Sequence, residues 1–223
     1  MTIRHRALLL ALAGVLTASQ CVTAQTRVIQ SGTTDSGFAA GDVAYDPKHD
    51  VYLFVYERCP WFNNHCPQGR IISGDGTTYG SGPFEIGTSA PNGGGQVSAV
   101  YSPDLSDGQG GTGAFLVAWT TWDTDLVWRV YARVISLNGP VAPKIVVNEW
   151  RAGTPEGLIN AAVAYSSTDR TFLVGWIVIF DYYKSGFYRD IQPYYVRLDV
   201  NGQPIGPMRA VNLAHDSPCF SAT

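Results

Sequence analysis

The chain has 223 residues with 15 basic against 18 acidic side chains, a formal charge of −3, which argues against a nucleic-acid partner. Only 15% of residues are charged, whereas 24 are glycine and 12% are aromatic, a composition suited to tightly turned β-structure with aromatics packed on pleated faces. Beyond the N-terminal leader no apolar run approaches the roughly 20 residues that a bilayer-spanning helix needs, so no membrane span is expected.

The chain opens with a leader. Arg4, His5 and Arg6 precede an apolar run over 7–18, and Val22-Thr23-Ala24 places small residues where a signal peptidase reads. Residues 1–24 are therefore predicted to be a signal peptide, and the mature protein to be secreted or periplasmic. A lipoprotein reading would modify Cys21, but Gln20 stands where a small residue is wanted. Loss of Arg4 and Arg6 takes the formal charge to −5. It also leaves Cys59, Cys66 and Cys219 in a compartment that permits disulfides.

After the leader comes a strand-and-loop segment, 25–40, containing Arg27-Val28-Ile29-Gln30. It parallels the end of each later repeat and reads as an orphan fourth strand, D. Three repeats follow, over 41–90, 91–152 and 153–214. Strand A carries Val43-Ala44-Tyr45, Ala99-Val100-Tyr101 and Val163-Ala164-Tyr165. Strand B carries Leu53-Phe54-Val55-Tyr56, Phe115-Leu116-Val117-Ala118-Trp119 and Phe172-Leu173-Val174-Gly175-Trp176. Each is short and rich in β-branched and aromatic residues. Strand C is expected over 70–73, 130–136 and 194–199, and strand D over 83–86, 144–147 and 208–212.

Between C and D lie Asp75-Gly76, Asn138-Gly139 and Asn201-Gly202, spaced 63 residues apart. The pairs suggest two-residue type I′ hairpins, which need φ > 0 at both central positions. Seven extra residues before Trp119 and six after Trp176 are expected as loop insertions. Residues 215–223 resemble the opening of a further strand A.

The order Val-Ala-Tyr, Phe-Leu-Val-Ala-Trp and Asn-Gly resembles the divergent β-propeller-type repeats of secreted bacterial proteins. The resemblance covers the whole mature chain, and it implies an all-β fold of about three four-stranded antiparallel blades, an incomplete propeller. Truncation of a longer reading frame is the favoured account, and closure by self-association through the open blade faces the other. The motifs carry little about activity, because propellers host unrelated functions.

Site candidates gather in the B-to-C loops: Trp61 and Phe62 in the first repeat, Trp122 in the second, and Tyr182, Tyr183 and Tyr188 in the third. Aromatics among polar groups suit stacking on sugar rings; the blander reading has them folded back on neighbouring blades. Tyr56, Trp119 and Trp176 recur in register and are expected as wedges between blades. The first functional reading is a non-catalytic module binding glycan or protein. The alternatives are a glycoside hydrolase or polysaccharide lyase using Asp123, Asp125, Asp181 and Asp190 as a carboxylate pair, and a structural scaffold. Cys59 and Cys66 bracket a six-residue loop and are expected to form a disulfide, with zinc through His65 the weaker reading because four ligands are wanted. No cofactor is expected; calcium at Asp104 and Asp107 is the one candidate, without an EF-hand pattern. Cys219 reads as a buried thiol or as the partner of a cysteine elsewhere.

Overall fold

A computed structural model of the chain describes residues 37–59, 66–80, 82–87, 96–125, 127–141, 143–150, 157–180 and 190–211. The chain divides into Met1–Gln30 and Ser31–Thr223, and all described residues belong to the second unit. The leader, the orphan strand's core at 27–30, His65, Cys219 and the segment 215–223 lie outside the described residues.

Every element among the described residues is a strand. The first sheet holds β1 (Gly37–Asp46), β2 (Val51–Cys59), β3 (Cys66–Ser73) and β4 (Phe84–Glu85), hydrogen-bonded in chain order. The second holds β5 (Ser98–Ser106), β6 (Thr112–Trp122), β7 (Trp128–Ser136), β8 (Gly139–Pro140) and β9 (Ile145–Trp150). The third holds β10 (Gly157–Ser166), β11 (Thr171–Phe180), β12 (Asp190–Leu198) and β13 (Arg209–Ala210). All pairings are antiparallel, and the three sheets coincide with the three sequence repeats.

The period-2 pattern decides how the sheets stack. In β6, Phe115, Val117 and Trp119 belong to a core shared with Leu53, Val55 and Ile71 of the first sheet. Leu116 and Ala118 point the other way, into a core shared with Phe172, Val174 and Trp176 of the third. The central sheet is thus buried on both faces, which is why β6 reads as a continuous apolar run. The wedge expectation holds for Trp119 and Trp176 in these cores. Tyr56 is buried as well, its hydroxyl donating to Gln68 Oε1 at 3.2 Å.

Equivalent positions on the three A strands are tied together. Asp42 Oδ2 accepts from Ser98 Oγ at 2.9 Å and from the Ala99 amide at 3.0 Å, and Ser98 Oγ accepts from the Val163 amide at 3.3 Å. The A-strand tyrosines reach back one sheet: Tyr101 bonds Asp46, and Tyr165 donates to Asp104. Burial first, and then Asp46, push the Tyr101 hydroxyl up to about 12.

Several expectations are corrected. The C-to-D turns are not type I′. Only the glycines take positive φ, at 81°, 101° and 77° for Gly76, Gly139 and Gly202. Gly76 N bonds Ser73 O at 2.7 Å while Ser73 N bonds Thr77 O at 2.9 Å, and Gly202 with Asp199 and Gln203 repeats the pattern. That is a type I turn followed by a left-handed glycine bulge. It requires glycine at one position and leaves the Asp or Asn in an ordinary conformation.

Strand A begins earlier than expected in the first and third sheets. It passes through a bulge between Ala39 and Asp42, and between Ile159 and Ala162. The seven-residue insertion lengthens the β5–β6 hairpin to the Ser106–Thr112 pair rather than forming a long loop. The second sheet has five strands instead of four because β7 pairs with both β8 and β9.

The expected Cys59–Cys66 disulfide is also corrected: Cys66 is a free, buried thiol. The β2–β3 register sets Cys66 opposite Arg58, one residue out of step with Cys59.

Candidate binding site at the B-to-C end of the central sheet

The β6–β7 hairpin runs out to the Trp122–Trp128 pair and closes through Asp123 N bonding Val127 O at 3.0 Å. Its two faces carry different chemistry. On the side of the third sheet the indoles of Trp122 and Trp128 stack with centroids 5.4 Å apart and planes 20° from parallel. Trp128 lies opposite Trp150 of β9, and Trp150 meets Tyr194 of β12 edge-on at 5.8 Å. Four strands thereby contribute to one aromatic array, and both Trp150 and Tyr194 also pack on the core between these sheets.

Polar atoms on the same side lack partners. Trp122 Nε1, Trp176 Nε1, Asn148 Nδ2 and Thr120 Oγ1 are buried with no hydrogen-bond partner among the described residues. Thr120, Val130 and Asn148 form one cross-strand row, directly behind the Trp122, Trp128 and Trp150 row. Each unmade bond of this kind costs about 1–3 kcal/mol. All four atoms can donate a hydrogen bond.

The opposite side, facing the first sheet, is ionic. Arg129 Nη1 and Nη2 bond both oxygens of Asp125 at 2.8 and 2.6 Å, and Nη1 also reaches Asp123 Oδ2 at 2.7 Å. Arg129 Nε lies 3.4 Å from Glu149 Oε2. The Tyr131 hydroxyl donates to Asp123 Oδ2 at 2.5 Å, and Lys144 Nζ sits 3.7 Å from the Tyr131 ring centroid. Burial first, and then the Asp123 hydrogen bond, raise the Tyr131 hydroxyl, whereas burial lowers Lys144. The Arg129 guanidinium holds the Asp125 carboxyl below the usual carboxylate range.

Asp123 and Asp125, named as an acid–base pair, are brought together, but on one arginine. A glycosidic general acid needs a raised pKa, and Arg129 drives Asp125 in the opposite direction. Asp181 and the side chain of Asp190 lie outside the described residues. So do Trp61, Phe62, Tyr182, Tyr183 and Tyr188, and of the expected aromatic loop residues the structure describes Trp122.

The candidate calcium ligands are occupied internally. Asp104 accepts from Tyr165 and pairs with Arg170 at 3.1 Å. Asp107 Oδ1 caps its own loop through the amides of Gln109 and Gly111 at 2.8 and 2.9 Å. Among the described residues no three His, Cys, Asp or Glu side chains converge.

Trp128, Trp150, Asn148 and Thr120 are additions to the sequence reading. The signal available for the first was the Trp-x5-Trp spacing across a five-residue turn, which sets two indoles side by side once the hairpin register is fixed. No protein-family model, no curated protein and no solved structure matches this chain.

The lowered pKa of Asp125 and Asp107 gives a pH prediction. Hydrogen bonds from Arg129, and from the Gln109 and Gly111 amides, depress these carboxyls below 3.8 in the folded state. Their stabilisation is therefore complete above the unfolded value and is lost as pH falls through the folded one. Thermal melts followed by circular dichroism from pH 5 downward should show the melting temperature dropping below about pH 4, the unfolded range. Asp125→Asn and Asp107→Asn should each flatten that drop.

Proposed function

We propose that the protein is a secreted, non-catalytic β-propeller-type module that binds glycan at the B-to-C end, between its second and third sheets. The observation that carries this reading is the Trp122–Trp128–Trp150–Tyr194 array bordered by four partnerless polar atoms. Aromatic faces stack on the C–H faces of sugar rings, and inward-facing donors fix ring, hydroxyl or acetamido oxygens. The propeller reading is supported by three antiparallel sheets stacked in series, with A strands linked at equivalent positions. Tying up Asp123 and Asp125 on Arg129 favours a binding role over a hydrolytic one. Export is supported by the leader-like sequence over residues 1–24.

A glycan array screened with the purified protein should give hits. Trp122→Ala and Trp128→Ala should each weaken them at least tenfold, about 1.4 kcal/mol, with melting temperatures showing that the fold persists. An array silent for the parent protein, or hits indifferent to both substitutions, would remove the reading.

A further inference from the structure

The repeats allow the same position to be compared in three surroundings. Four residues before the strand B aromatic stand Tyr52, Phe115 and Phe172, exposed 38%, 1% and 0%. Three residues before it, leucine occurs three times: Leu53 and Leu116 are fully buried, whereas Leu173 is 45% exposed. The two series point to opposite faces of their sheets. Within the chain, Phe115 shares a core with Leu53, and Phe172 with Leu116. The aromatic face of each later sheet thus packs on the leucine face of the sheet before it. Among the described residues, Tyr52 has no preceding leucine face and Leu173 no following aromatic face.

The neighbouring A-strand residues of the two faces agree, while toward the other end of strand B Tyr56 and Ile179 of the same faces are buried. On the first sheet Val43 and Tyr45 are exposed beside Tyr52, and their equivalents Ala99 and Tyr101 pack into the core between the first and second sheets. Tyr101 and Tyr165 reach the preceding sheet, whereas the Tyr45 hydroxyl turns to Asp50 of its own hairpin at 2.9 Å. On the third sheet Ala162 and Ala164 are exposed beside Leu173. One chain therefore presents, on different sheets, both halves of an interface that it already forms twice internally.

We infer that two copies of this chain pair head to tail, the Val43–Tyr45–Tyr52 face of each covering the Leu173 face of the other. The inference rests on the propeller reading of the repeats and is independent of the glycan site. A second copy is the occupant because it supplies both missing faces in the geometry already used between sheets. A reciprocal pair satisfies all four open faces of the described sheets. The contact is between unlike surfaces, so the pair closes as a ring with a two-fold axis rather than by matching like patches.

Light scattering on the eluting chain should give twice the mass of one chain. Tyr52→Asp and Leu173→Asp, both at exposed positions, should each give monomers with unchanged circular dichroism, since each retains only one kind of face. Mixed in equal amounts the two variants should recover the doubled mass, because the leucine face of one and the aromatic face of the other remain intact. A parent chain monomeric across a concentration series, a pair that survives either substitution, mass that grows without limit, or a mixture that stays monomeric would each overturn the inference. A monomer that still binds glycan would remove the pairing and leave the proposed function standing.

Discussion

Trp119→Ala is expected to destabilise the protein by about 3–5 kcal/mol, the range for truncating a buried large aromatic. Trp119 is 2% exposed and lies in the core between the first and second sheets. Its ring stands 5.5 Å from that of Tyr131. Gly87 of the first sheet approaches so closely that a Cβ there would lie 2.9 Å from the indole. Removing the indole opens a void in a core whose strands are held by their neighbours in the two sheets, β6 by β5 and β7. For a chain of this size each kcal/mol moves the melting temperature by about 2–4 °C, so a loss of about 10 °C in a calorimetric scan is the expected size. Trp122→Ala, at a half-buried position in the proposed site, should cost much less stability while weakening ligand binding. Comparing the two separates a wedge between sheets from a binding residue only a few positions away.

That separation was partly legible in the sequence. Trp119 recurs in register with Trp176 because stacking each of these sheets on the one before places the same demand at the same point of the repeat, and Tyr56 holds the equivalent position of the first sheet. Trp122 has no counterpart in register, which marks it as particular to one loop. The sheets themselves were legible because alternation in strand B and a glycine after each Asn or Asp are local signals.

What escaped was set by contacts between elements. Gly76 and Gly202 have positive φ because a bulged turn needs one left-handed residue, and an Asn-Gly or Asp-Gly pair suits both that turn and type I′. The partner of Asp123 and Asp125 is Arg129, six and four residues on, and only the antiparallel register swings it back across the hairpin. Trp150 joins Trp128 because β9 pairs with β7 past the short β8, a break in strand D that no local pattern announces. The disulfide expectation rested on loop length alone, whereas Cys66 is a free thiol.

Gly41→Ala is expected to cost about 3 kcal/mol or more, beyond the usual range for a small-to-large change, through a mechanism that no side-chain adjustment relieves. Gly41 sits in the strand A bulge, where β1 gains a residue relative to β2 between Ala39 and Asp42. A Cβ at this position would stand 1.8 Å from the Val55 carbonyl oxygen and 2.8 Å from the Val55 carbonyl carbon. Both are backbone atoms of the paired strand, so the methyl forces β1 away from β2. Asp42 is the next residue, and its carboxylate ties β1 to Ser98 and Ala99 of the second sheet. Displacement there should loosen the packing of the first sheet on the second as well as the hairpin itself.

Gly175→Ala supplies the contrast. The nearest atom to a Cβ at Gly175 is the Tyr194 carbonyl oxygen at 3.6 Å, an ordinary contact. The equivalent position in the second repeat is already Ala118, fully buried. Replacing a glycine within a strand should gain about 0.5–1 kcal/mol by restricting the unfolded chain. Urea unfolding of the two variants should therefore move in opposite directions. A Gly41→Ala midpoint as high as that of Gly175→Ala would show that the bulge does not bring the two strands as close as this.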